Sequence, residues 1–193
     1  MGFSDIGIVK TSNKWKHEQY PQFISLFEID SVKDFSQAVS QIANDAGFER
    51  YIFRLLPNKH NPINKAFVIT NHAHKWQEIY DRNQYFKIDP TIQHCYSSHF
   101  PLFWDKETFT SAEQKFIYVR GLNYGLSSGL AFPIHGPNGE FGMMSLATKK
   151  ETNDQVKIEA IRALPHLSVF VTLVFELSKN FIHKKTAINV LLA

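Results

Sequence analysis

The sequence predicts an α+β fold, an α-β-α sandwich with a central antiparallel sheet of about five strands between helices. Three observations carry this expectation. Strand-like runs come in hairpins, the clearest being residues 128–135 and 140–148 on either side of Pro137-Asn138-Gly139, because Asn-Gly between two such runs is the strongest short-range hairpin signal. Helical periodicities with identifiable caps stand before, between and after those hairpins. The chain is 193 residues long, 44% hydrophobic, with 17 Phe, enough for one domain with a sizeable core.

After an irregular start, Ser31 reads as an N-cap with Asp34 at the third helical position, and Phe35, Val39 and Ile42 repeat at helical spacing until Gly47 ends the run. Residues 48–56 are aromatic and branched and stop at Pro57; a polar loop to Pro62 and a second short apolar run, 66–70, complete two strands expected to pair as a hairpin. A helix then carries Trp76 and Tyr80, which at i, i+4 spacing share a face. Asp89-Pro90 reads as N-cap and first residue of the next helix. Residues 101–104 fit a short strand, and 111–123 a helix with Phe116, Val119 and Arg120 repeating, broken at Gly125. Asn153 or Asp154 caps a long final helix through Ile158, Ile161, Leu164, Leu167, Val171 and Phe175, with a bend expected at Pro165.

Charge is interspersed, with a net +3, and demands neither a nucleic-acid nor a membrane partner. A single cysteine, Cys95, excludes an internal disulfide and fits a reducing compartment; the N-terminus has no apolar signal region and no long uncharged apolar run follows, which together predict a cytoplasmic protein. His94, Cys95 and His99 match no familiar zinc spacing, and there is no phosphate loop, nucleophile elbow or His-Glu-x-x-His. No catalytic residue, metal site or cofactor is expected, and Cys95 reads as a small core or pocket-edge residue.

The informative stretch runs from Trp76 to Asp89, thirteen positions apart. An indole N–H only donates and a carboxylate only accepts, so together they suit a small polar head group offering one carbonyl and one N–H. A buried unpaired carboxylate is costly, and a ligand N–H would relieve Asp89. A pocket is expected between sheet and helices, lined by alternate strand residues: Ile52, Arg54 and Leu56 from one strand, Phe141, Met143 and Ser145 from another.

The order Trp76, Tyr80, Asp89-Pro90, Trp104, Gly125 resembles the LuxR-type quorum-sensing regulators, specifically their N-terminal domain that binds acyl-homoserine lactones. Within the family the blocks Leu55-Leu56-Pro57, Tyr80-Asp81-Arg82, Asp89-Pro90-Thr91, His94-Cys95, Phe103-Trp104 and His135-Gly136 are most like the LasR branch, and the resemblance covers about residues 35–175. It implies that Trp76 donates to the lactone carbonyl and Asp89 accepts the ligand amide N–H. Tyr80 and Trp104 would wall the head group, Ser145 and Thr91 would place hydroxyls near the amide, and Ile52, Leu56, Ile92 and Met143 would complete the pocket.

Two departures bear on the ligand. His72 stands where the nearest relatives carry a tyrosine that bonds the amide carbonyl; a neutral imidazole still donates one N–H, and titration near neutrality would make affinity pH-dependent. Arg54 replaces a glycine of the LasR branch; it either seeks an oxygen on the acyl chain or reaches the pocket mouth to pair with Glu78.

On these grounds the chain divides into an autoinducer-binding domain over 1–178 and a tail over 179–193 toward a helix-turn-helix DNA-binding domain that it lacks. The resemblance implies a homodimer whose stability is coupled to the lactone, with DNA contacted only through that further domain and no membrane partner. The alternatives are a solo sensor of a non-lactone metabolite and a short form that antagonises full-length regulators by heterodimerisation.

Overall fold

The computed structural model describes residues 23–191. Of the irregular start, 1–22 lie outside the described residues, and the next stretch holds a single helical turn, α1 (Ile24–Phe27), where the sequence carries no helix signal. Helix α2 (Val32–Asp45) opens as its sequence dictates: the Ser31 hydroxyl accepts the Asp34 N–H at 3.0 Å. It ends two residues before Gly47, whose φ of 90° lies in the left-handed region that glycine enters without a Cβ clash.

Strands β1 (Arg50–Leu56) and β2 (Phe67–Thr70) are antiparallel neighbours. Helix α3 (His74–Arg82) follows and α4 (Pro90–Ser97) comes next, then β3 (Leu102–Trp104) and α5 (Ala112–Leu122). The hairpin β4 (Ser128–His135) and β5 (Phe141–Thr148) turns through Gly139, at φ 87°. Single 3-10 turns occupy Ile63–Lys65, Tyr85–Lys87 and Lys106–Thr108. The sheet runs β2-β1-β5-β4-β3, and every adjacent pair is antiparallel. The α+β sandwich with a five-stranded antiparallel sheet is therefore the fold observed.

Helix α6 (Asp154–Leu191) is capped by Asn153, whose side chain accepts the Val156 N–H at 2.9 Å. It is continuous past Pro165 and past residue 179, the expected start of the tail. Residues 154–182 are long and apolar enough to cross a membrane by length and composition, although Lys157, Glu159, Arg162, Glu176 and Lys179 interrupt them, so they are not a long uncharged run. Their apolar side chains serve the core of the domain: Leu167, Phe170 and Val174 are fully buried against the sheet.

Strand alternation sends side chains to opposite faces. Tyr51, Phe53, Leu55, Met144 and Leu146 point into a dry core with Phe35 and Val39 of α2 and with α6. The other face carries a second cluster in which Leu56, Ala131, Phe141, Met143 and Ala147 meet Trp76, Tyr80, Ile92, Cys95, Trp104 and Ile117. In α5 the Phe116/Val119 stripe points outward, 56% and 58% exposed, while Ile117 and Gly121 turn inward. Likewise Ile158 and Ile161 of α6 are exposed. Both helices are apolar on more than one side, and periodicity alone does not choose between faces that are all apolar.

Candidate functional site

A single row of sheet residues begins the site. Across the face opposite the dry core, Gly129 pairs with Trp104 on one side and Ala147 on the other; two residues along lie Ser145 and Ile52, and two further Met143 and Arg54. Gly129 is required here, since a Cβ would strike the Leu146 carbonyl and stand 2.9 Å from the Trp104 ring. Helices α3, α4 and α5 roof these rows and leave a concave, mostly apolar cavity of about 720 Å³ when its open mouth is included.

Helix α3 contributes Trp76 and Tyr80, both buried, with ring centroids 5.9 Å apart. Tyr85 packs against both, and its hydroxyl accepts from Arg120 at 3.0 Å. Asp89 caps α4 and lies at the centre of a small network. Its Oδ1 accepts the Thr91 N–H at 2.9 Å and the Thr91 hydroxyl at 2.7 Å, while Oδ2 accepts the Tyr80 hydroxyl at 2.7 Å. The carboxylate is therefore not unpaired, contrary to the expectation from burial alone. A carboxylate offers about four acceptor sites, so one remains beside the Tyr80 bond. Burial first, and the Asp89 charge second, hold the Tyr80 hydroxyl well above its usual pKa, which keeps it a donor.

His72 follows β2 and is anchored by its backbone: its N–H donates to the Thr70 hydroxyl at 3.0 Å and its carbonyl accepts from the Gln77 amide at 2.8 Å. The ring lines the cavity, and its buried Nε2 has no hydrogen-bond partner. Burial, then Arg54, then Arg50 push its pKa down to about 3. This corrects the expectation of titration near neutrality: the imidazole is neutral across the physiological range. Trp104 presents the second orphan, a buried Nε1–H without an acceptor. Two polar groups without partners on the walls of one cavity are a feature that folding alone does not explain.

Arg54 also lines the cavity, only 13% exposed. Its ion-pair partner is Asp81, at 3.8 Å, and not Glu78, which faces His74 at 3.6 Å. The guanidinium carbon lies 5.9 Å from the centroid of the Tyr80 ring.

Of the residues singled out from sequence, Trp76, Tyr80, Asp89, Thr91, Ile92, Trp104, Ser145, Met143, Ile52, Arg54 and His72 are brought together on this cavity. Leu56 and Phe141 are not: they lie on the same sheet face but beyond the cavity wall. Gln77, Phe109, Ile117, Tyr118, Gly121, Leu126 and Ala147 also line the cavity and were not expected there. Ala147 continues the alternation of Met143 and Ser145, and that parity was a usable signal. The α5 residues were hidden by the competing apolar stripe. Cys95 is buried in the cluster around the cavity, and burial pushes its thiol up to about 12, which leaves no reactive thiolate. Among the described residues no group of His, Cys, Asp or Glu is placed to hold a metal ion.

Comparison with known proteins agrees with this architecture. Residues 31–176 match the family model described as "Autoinducer binding domain". The transcriptional activator protein VanR of Vibrio anguillarum is 29% identical over 121 residues, covering 63% of this chain and 50% of that protein. LuxR of Aliivibrio fischeri (strain ATCC 700601 / ES114) is 32% identical over 119 residues, covering 60% and 47%. The chain thus spans about half the length of these relatives. Among solved structures, the N-acylhomoserine lactone dependent LuxR family transcription factor CepR2 from Burkholderia cenocepacia superposes with a TM-score of 0.66 at 17% identity, covering 86% of this chain and 92% of that one, a likeness of fold. No nearer kinship to the LasR branch follows from these matches. With three quarters of its length inside the family match and the fold to go with it, the chain belongs to the autoinducer-binding domain family of LuxR-type regulators.

Proposed function

We propose that this chain is the sensory domain of a quorum-sensing transcriptional regulator and binds an N-acyl homoserine lactone. The observation that carries the reading is the convergence of a donor-only indole, Trp76, and a carboxylate with one free acceptor site, Asp89, in an otherwise aromatic and apolar cavity. Trp76 donates to the lactone carbonyl and Asp89 accepts the amide N–H. The neutral His72 and the Trp104 indole offer further hydrogen bonds, Ser145 and Thr91 stand near the amide, and Tyr80 closes the wall. The Asp89 carboxylate is held by the chain's own Tyr80 and Thr91, and such preorganisation lowers the cost of ordering it on binding.

Ligand that binds only the folded chain stabilises it by linkage, about 2.7 kcal/mol at a hundredfold excess over the dissociation constant. This coupling is the route by which the domain, taken as 1–178 with 179–193 leading toward a DNA-binding domain, would pass its signal on as a cytoplasmic homodimer. No catalysis is assigned to it. The deciding experiment measures the melting temperature and soluble yield of the chain with and without a panel of acyl-homoserine lactones. A rise with a subset of the panel supports the reading; indifference to every lactone overturns it.

A further inference from the structure

We infer that the Arg54–Met143 pair is the end wall of the acyl chamber, and that the chain it admits is short and carries an oxygen that Arg54 hydrogen-bonds. This assignment rests on the receptor reading above and specifies the ligand within it.

Strand register sets the length. On the cavity face the cross-strand pairs of β1 and β5 are Ile52 with Ser145, Arg54 with Met143, and Leu56 with Phe141. The first two pairs line the cavity and the third does not, although parity puts all three on the same face. The space beyond is filled: Leu56 and Phe141 are 2% and 4% exposed, and Tyr96 stacks on Phe141 at 4.1 Å between centroids. From the Trp104–Ala147 row to the Arg54–Met143 row there are four residues of strand, about 14 Å, and that span must hold head group and chain together. Two long side chains standing side by side stop the cavity there, where smaller ones would let it continue to Leu56.

The donors of Arg54 call for the oxygen. A guanidinium presents five N–H donors. At 3.8 Å the contact with Asp81 is an ion pair without a hydrogen bond, and the Asp81 side chain is 63% exposed and well solvated. Arg54 is thus largely buried and lines the cavity with no side-chain hydrogen bond to the described residues, and the buried, unpartnered Nε2 of His72 lies on the same wall. An acyl oxygen, keto or hydroxyl, supplies the acceptor that an unsubstituted chain lacks.

The test is the affinity of the full chain for N-hexanoyl, N-(3-oxohexanoyl), N-dodecanoyl and N-(3-oxododecanoyl) homoserine lactone. The expected order puts 3-oxohexanoyl first, on the order of tenfold tighter than hexanoyl, as for a hydrogen bond to a charged donor, with both dodecanoyl lactones at least about tenfold weaker than their short counterparts. Arg54→Met, which keeps the wall and removes the donors, should abolish the keto preference while keeping the length limit. Arg54→Gly with Met143→Ala should admit the dodecanoyl chains; should that variant not fold, Met143→Ala alone should narrow the gap between lengths. Equal affinity of the unmodified chain for short and long lactones overturns the wall. A keto preference unchanged in Arg54→Met overturns the donor role. Binding of none of the four overturns the receptor reading itself, an outcome distinct from the other two.

Discussion

The two faces of the one sheet are built from the same strands and behave as different materials. Toward α2 and α6, alternate residues such as Phe53, Met144 and Leu146 are fully buried in a packed aromatic and aliphatic core. Toward α3, α4 and α5, the intervening residues surround a cavity, and two buried polar atoms there, His72 Nε2 and Trp104 Nε1, have no partner. The first face is packed by folding except for a smaller cleft lined by Phe48, Phe103 and Ala160. The second is left with unsatisfied groups and empty space, each of which costs stability that a ligand can restore. A receptor needs both: a core that holds the strands in register, and an unfinished face on which a small molecule completes the packing.

The sharpest way to break this contrast is to truncate one residue on each face. Phe53→Ala should destabilise by about 3–5 kcal/mol in denaturant titration, and added lactone should offset only the ordinary linkage contribution. Met143→Ala, which enlarges a cavity already present, should cost clearly less. Equal costs would mean that the cavity is packed as tightly as the core.

Next in size is Asp89→Asn, which replaces a carboxylate accepting three hydrogen bonds by an amide with half the acceptor capacity. It should cost about 1–3 kcal/mol in the free protein and remove most lactone-induced stabilisation. Unchanged ligand response in this variant would remove Asp89 from the site while leaving the fold intact.

The last effect, absent at neutral pH, distinguishes His72 from the polar groups of the dry side. The folded pKa lies near 3, below the unfolded value near 6.5, so between them the unfolded chain binds the extra proton. Stability is therefore fully present above about 6.5 and declines as pH falls toward 3, by at most about 1.4 kcal/mol per pH unit from this group. Lactone affinity should be flat from mildly acidic to mildly alkaline pH. In His72→Gln the acid decline should be shallower by one proton; an identical slope would show that the imidazole is not held neutral.

Much of the frame was legible in the residues because its signals are local. Ser31 with Asp34, Asp89 with Pro90, and Asn138-Gly139 each specify a helix start or a hairpin through hydrogen bonds and dihedrals within a few residues. The convergence of Trp76, Asp89 and Trp104 was read from a resemblance, and no local rule would have brought β3 beside α4. Where several faces of a helix are apolar, as in α5, periodicity favours Phe116 and Val119 although Ile117 and Gly121 are the residues that turn inward.

By itself the sequence determined the elements, their caps and turns, and the alternation that gives the sheet two faces, because those depend on short-range sterics and hydrogen bonds. Only the tertiary structure decided where the cavity stops, that Asp81 and not Glu78 faces Arg54, and that His72 is kept neutral. Those outcomes depend on which side chains from distant strands and helices meet, and on how much water their meeting excludes.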